Sequence, residues 1–132
     1  MTEMPCFDYY YAADGEQFSS INIPKTILTN MKFRGLSAEA KILYGAMLGH
    51  LGTSLQNGWI TLNDEVYIIY TLYEMQSDVG FTSEKLLNLE KELENYGLIE
   101  KKDNRLGMYE RIFVKNYLTD REKKDGRVQE ET

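Results

Sequence analysis

The stretch TLYEMQSDVGFTSEKLLNLEKELENYG, residues 71–97, decides how this chain is read. Thr71 followed three residues on by Glu74 has the spacing of a capping box, in which hydroxyl and carboxylate each take a free backbone N–H at a helix start. Leu72, Met75 and Val79 then recur three and four residues apart, the period of a helix with one buried face. Gly80 stops that helix. Phe81 follows directly, and Thr82 or Ser83 can cap a second helix whose Leu86, Leu89 and Leu93 point inward and whose end falls at Gly97. Helix, tight glycine turn, helix is the helix-turn-helix pattern.

Downstream, residues 98–102 and 111–115 form two strand-like runs around a polar segment containing Gly107, so a hairpin follows the second helix as a wing. Upstream, Asn57-Gly58 breaks the chain, and residues 59–62 and 66–70 are expected as strands joined by the turn Asn63-Asp64-Glu65. A further helix is expected to begin at the cap Ser37, with Ala40, Leu43, Tyr44, Met47, Leu48 and Leu51 as its stripe. Gly45 and Gly49 share one of its faces, a sign that a neighbouring element approaches closely. Residues 18–23 suit a short edge strand, and Pro24 opens a short helix to about Asn30, where its missing N–H costs nothing. The expected architecture is α+β: a winged helix-turn-helix with an N-terminal strand and helix and a C-terminal β-hairpin wing. An arm at 1–17 and a charged, disordered tail at 118–132 are expected to flank the domain at 18–117.

The 132 residues, 42% hydrophobic, suffice for one core and not comfortably for two. With a single Cys, Cys6, no internal disulfide forms, and the first residues lack the basic start and apolar run of a secretory signal, so a cytoplasmic setting is expected. No apolar run approaches the roughly 20 residues of a membrane span, and no membrane partner is expected. The sole His, His50, cannot build a two-His metal site, Cys6 has no activating neighbour, and no glycine-rich phosphate loop is present. Neither an enzyme nor a metal or cofactor site is expected. Glu90, Glu92 and Glu94 are spaced like a solvated helix face, and the rings of Trp59, Tyr67, Tyr70 and Tyr44 are read as core, not as stacking platforms.

A net charge of −6 argues against bulk attraction to nucleic acid. Locally the sign reverses: residues 98–117 hold five basic side chains against three acidic, while 61–97 hold eight acidic against two basic. If the second helix of the motif enters a DNA major groove, its leading residues Ser83, Glu84, Lys85 and Asn88 are the candidates for base contacts. Thr82, Lys91, Lys101, Lys102, Arg105 and Arg111 are the candidates for backbone contacts, and Lys25, Lys32 and Arg34 for flanking phosphates. The same residues also fit an ordinary solvated surface, and surface strands often carry Lys to protect an edge.

The segments Ile23-Pro24-Lys25, Leu36-Ser37 with Ala40-Lys41 and Leu43-Tyr44, Asn57-Gly58-Trp59, and Val66-Tyr67-Ile68-Ile69-Tyr70-Thr71 resemble, in order and spacing, the N-terminal domain of the plasmid replication initiator protein A family. Glu92-Leu93, Gly97-Leu98-Ile99, Leu106-Gly107, Arg111-Ile112-Phe113-Val114 and the arm residues Phe7-Asp8-Tyr9-Tyr10-Tyr11 extend the likeness over roughly 7–116. The resemblance implies a bacterial plasmid protein that binds double-stranded DNA with repeats at a replication origin. It also implies host replication proteins as partners, engaged through a C-terminal domain that this chain lacks, and a possible homodimer on paired repeats. The rival expectation is a winged helix that has lost DNA binding and serves protein interaction or dimerisation through an acidic face of Glu84, Glu90, Glu92 and Glu94.

Overall fold

The computed structural model describes residues 4–13, 19–102 and 110–125. Every helix of the motif begins at a side-chain cap. Ser37 accepts from the Ala40 N–H and opens α2 (Ala38–Leu48), Thr71 and Glu74 form the full capping box of α4 (Leu72–Val79), and Thr82 opens α5 (Ser83–Tyr96) by accepting from Lys85 N–H. Each such cap contributes about 1 kcal/mol. Gly80 and Gly97 end α4 and α5 at φ 77° and 86°, where a side chain would strain the backbone. The helix-turn-helix therefore follows from local signals at both ends of both helices.

Three further short helices surround it: α1 (Lys25–Thr29), α3 (Leu51–Gln56) and α6 (Asp120–Asp125), with a 3₁₀ turn at Met31–Phe33. Pro24 precedes α1 as its cap, one position earlier than expected. The expected stripe from Ala40 to Leu51 is divided, because α2 stops at Gly49 and α3 begins anew after His50. His50 contacts Asp78 of α4 at 3.4 Å, and Tyr70 donates its hydroxyl to the same carboxylate, which ties that junction to the motif. Burial first, and then Asp78, pushes the Tyr70 hydroxyl pKa up, so the phenol stays protonated as a donor.

The wing is the antiparallel pair β1 (Ile99–Lys102) and β2 (Arg111–Val114), in register Ile99 with Val114 and Lys102 with Arg111. Alternation sends Ile99 and Ile112 into the core and leaves Glu100, Lys102, Arg111 and Phe113 on the other face. A single bridge, Ile68 with Ile112, lays residues 66–70 along β2, and one more joins Ile60 to Val66. The two expected strands at 59–62 and 66–70 thus pair only at single points. The Thr61 hydroxyl accepts from the amides of Asn63 and Glu65, and Asp64 sits at φ 65°, so the turn uses groups a longer ladder would need.

Ile27, Leu43, Tyr44, Met47, Ile68, Met75, Leu86, Leu93 and Ile112 form the centre of the core at 2% exposure or less. Each such aliphatic side chain contributes about 1.5–3 kcal/mol by burial. Tyr44 also donates its hydroxyl to the Lys115 carbonyl at 2.6 Å, fastening the end of the wing to α2. That core is what fixes α5 against α2 and α4.

Two expectations about the ends are corrected. Residues 19–23 form no edge strand. They run instead across α2, where the absent Gly45 side chain admits Ile23 and the Asn22 carbonyl. Phe18 lies outside the described residues. The tail, expected to lack structure, carries α6: Thr119 and Glu122 make a capping box, with Glu122 N–H donating to the Thr119 hydroxyl and Thr119 N–H to the Glu122 carboxylate. Glu122 also pairs with Lys32, which pulls its carboxyl down to about 2. Residues 4–13 carry neither helix nor strand, and Phe7, Tyr9 and Tyr10 are exposed.

The close approach at Gly45 gives a prediction with opposite signs at two glycines. A Cβ there would lie 2.8 Å from Ile23 Cγ1 and 3.2 Å from the Asn22 carbonyl oxygen, whereas at Gly52 in α3 it would meet nothing within 4 Å. Gly45→Val should cost about 1–3 kcal/mol by overpacking, and Gly52→Ala should gain up to about 1 kcal/mol. Urea unfolding of the two variants reads both; destabilisation at Gly52 or a neutral Gly45→Val would contradict the packing described.

Candidate nucleic-acid interface

The leading face of α5 is open. Thr82, Ser83, Glu84, Lys85 and Asn88 are all exposed, as is Lys91 a turn further on. The Thr82 hydroxyl is already used by the Lys85 amide, so its free contribution to a ligand is its place at the helix start. Lys85 reaches sideways: its ammonium lies 3.2 Å from Glu39 in the first turn of α2 and 5.7 Å from the centre of the Phe81 ring. Lys85, Asn88 and Glu92 share one face of α5, and that face passes the start of α2.

Glu92 accounts for the packing there. The Ser37 N–H donates to one of its carboxylate oxygens at 2.7 Å and the Ser37 hydroxyl to the other at 2.9 Å. A carboxylate beside the N-terminus of α2 is stabilised by the unpaired amides and dipole of that helix. Glu90 is more deeply placed, 4% exposed, with Lys101 of the wing 3.2 Å away. Burial raises the Glu90 pKa more than Lys101 lowers it. The expected solvated or interacting face of Glu84, Glu90, Glu92 and Glu94 is therefore corrected: Glu90 and Glu92 hold the fold together, and only Glu84 and Glu94 are exposed.

The basic candidates divide by their partners. Lys101 is bound by Glu90 and Glu110, both at 3.2 Å; burial would lower its pKa, but the two carboxylates outweigh that and raise it. Lys32 is occupied by Glu122 and Lys85 by Glu39. Lys25, Arg34, Lys91, Lys102 and Arg111 make no ion pair among the described residues. Arg105 lies outside the described residues.

Lys102 and Arg111 stand opposite each other across the wing, and both lie over aromatic rings. The Lys102 ammonium is 4.7 Å from the Phe113 ring centre, and the Arg111 guanidinium is 5.7 Å from Phe113 and 5.4 Å from Tyr67. Trp59 continues the row, its ring nearly parallel to that of Tyr67 with centres 6.4 Å apart. Aromatic faces hold cations without neutralising them, so the long side chains are fixed while their charge stays available to an anion. The Arg111 Nε is buried and has no hydrogen-bond partner among the described residues. Two cations without carboxylates on the outer face of a wing form a surface able to bind phosphate.

Residues 19–127 match the family model of the replication initiator protein A N-terminus. The chain belongs to that family. A 41 kDa protein of Lactobacillus helveticus is 27% identical over 77 residues, a match covering 58% of this chain and 22% of that protein, so the chain spans about a fifth of its relative. A solved N-terminal domain of a DNA binding protein has the same fold, with TM-score 0.65, 25% identity, and coverage of 93% of this chain and 95% of that one. The structure of a Rep–DNA complex aligns at TM-score 0.67 and 24% identity over the same shares. The structure of an MDR initiator does so at 0.65 and 24%, covering 93% and 98%. For this initiator-family domain the winged helix-turn-helix architecture thus stands on its own helices and wing and on its relatives.

Glu39, Glu90 and Glu92 were the functional neighbours missed in the sequence as partners of Lys85, Lys101 and Ser37. One of them left a signal there. Glu90 falls on the buried stripe of Leu86, Leu89 and Leu93, a position where a carboxylate demands a cation. The other two pairs join α2 to α5 across 46 and 55 residues of sequence and leave no local trace.

Proposed function

We propose that this domain binds double-stranded DNA sequence-specifically at the repeats of a plasmid replication origin, in the initiation or control of replication. In this reading α5 enters the major groove with Ser83, Glu84, Lys85 and Asn88 towards base edges, and Thr82 and Lys91 lie beside phosphates. Lys102 and Arg111 place the wing on the backbone, and Lys25 and Arg34 reach flanking phosphates. The observation that carries it is the pair Lys102 and Arg111, fixed over Phe113 and Tyr67 and free of carboxylates. Family membership and the fold shared with a Rep–DNA complex support it. Host replication proteins as partners, and pairing of protomers on paired repeats, belong to the same proposal.

Asn88 offers the sharpest test of base reading, because an amide can pair with both the acceptor and the donor of adenine in the major groove. Asn88→Ala should lower discrimination at one base position by about 1–3 kcal/mol while leaving binding to shuffled duplex unchanged. Competition with origin-repeat duplexes carrying single-base changes measures this. Unaltered discrimination at every position would remove Asn88 from the interface.

A further inference from the structure

We propose that Leu87 reads thymine, its side chain packing on the C5 methyl group of one thymine when α5 lies in the major groove. The inference deepens the DNA-binding reading above and rests on it, adding to the base-facing residues one that carries no hydrogen-bonding group.

The exposed surface of α5 is polar except at two positions. Leu87 is 46% exposed and Tyr96 38%, and no other large apolar side chain of that helix is exposed. The fold accounts for Tyr96, whose hydroxyl donates to the Lys32 carbonyl and whose ring stacks on Phe33. Leu87 is covered on one side only. It lines a shallow groove with Ile69, Leu72 and Met75, closed on the wing side by Lys101 of β1 and by Glu110 just before β2.

A lone exposed leucine is ordinary on a protein surface, and what singles out Leu87 is where it stands. Ser83, Glu84 and Lys91 are its neighbours at three and four residues along the helix, and Asn88 follows it directly. Residues in that opening stretch are the ones that reach base edges when a helix enters the groove. Lys85 leans the other way, to Glu39 of α2, so Leu87 occupies the flank of α5 turned towards the wing. A duplex held by α5 and by the wing cations together crosses the groove between them and covers Leu87.

The chemistry then selects one base. Thymine alone presents a methyl group in the major groove, whereas the other bases present hydrogen-bonding edges there. Against such an edge the Leu87 side chain displaces water and returns no hydrogen bond, and against the methyl it buries apolar surface on both partners. The gain belongs to one base at one position and involves no phosphate, so it enters the ratio between repeats and shuffled DNA and leaves the salt dependence alone.

The test uses the whole chain and fluorescence anisotropy, with a duplex carrying the origin repeats of the encoding replicon, in which each thymine in turn is replaced by deoxyuridine. That replacement removes the methyl and keeps every hydrogen-bonding group. Wild type should bind about fourfold more weakly when one particular thymine is replaced, the effect of one buried methyl group, and should be indifferent to the same change in a shuffled duplex. Leu87→Ala should bind the unmodified repeats more weakly, lose the response to deoxyuridine and keep the wild-type salt slope. Leu87→Met, which stays apolar and long, should keep the response. If wild type prefers the repeats yet ignores deoxyuridine at every position, or if the response survives in Leu87→Ala, the assignment of Leu87 is overturned and the DNA-binding reading stands. The wild-type measurement decides the first point without any variant. If wild type binds neither duplex, the DNA-binding reading falls and takes this inference with it.

Discussion

Lys101→Ala is expected to destabilise the domain by about 3 kcal/mol at neutral pH, because it strands a buried carboxylate. Glu90 is only 5% exposed at its side chain, and Lys101 at 3.2 Å is its sole cation among the described ion pairs. The pH dependence has a definite sign. The Glu90 pKa is already raised above 4.5 by burial, and losing the ammonium raises it further. A raised acid pKa means that the folded state binds the proton more tightly than the unfolded chain. That contribution is present below the unfolded value and is lost as pH rises through the folded one. The cost of Lys101→Ala should therefore be full near pH 7 to 8 and shrink towards about pH 4. Glu90→Gln should cost less, since Lys101 keeps Glu110. Urea unfolding of the variants across this pH range measures both; a cost that grows on acidification would contradict the pairing. In the folded protein Lys101→Ala should leave the salt dependence of DNA binding unchanged, because its ammonium is committed to Glu90 and Glu110.

The double variant Lys102→Ala/Arg111→Ala should weaken binding to every duplex by about 100-fold at 0.1 M salt. Each phosphate contact releases about 0.9 of a counterion, which is about tenfold in affinity per contact at that concentration. The slope of log affinity against log salt should fall by about 1.8, with the ratio between repeats and shuffled DNA nearly preserved. Arg111 also covers Tyr67 and Phe113, so the folded state of the variant needs checking by circular dichroism. Lys102→Gln, which keeps a long side chain, should by itself lose about half of the slope change. A folded double variant with an unchanged slope would place the DNA elsewhere.

Much of this was legible in local sequence because local rules produced it. Thr71 with Glu74, Gly80, Thr82 and Gly97 punctuate the motif, and the structure uses each as a cap or stop. The Thr119 to Glu122 capping box is equally local, but the charged composition around it hid a helix whose support comes from Lys32, far away in the chain. Residues 19–23 looked like a strand because alternation does not reveal whether a sheet edge or a helix groove will receive them. The candidate site was legible as a list of basic residues and not as a sorting of them. Which cations are spent on carboxylates depends on contacts such as Glu39 to Lys85, which only the packing of α2 on α5 creates. The same sorting accounts for an acidic chain with a basic wing: Glu90, Glu92 and Glu122 serve the fold.

In the proposed function, the exposed start of α5 and the carboxylate-free cations of the wing bind origin DNA. Fluorescence anisotropy with origin-repeat and shuffled duplexes, at two salt concentrations, tests it most directly. Tighter binding to the repeats, weakening at the higher salt, is the predicted result, and no binding to either duplex at the lower salt would contradict it.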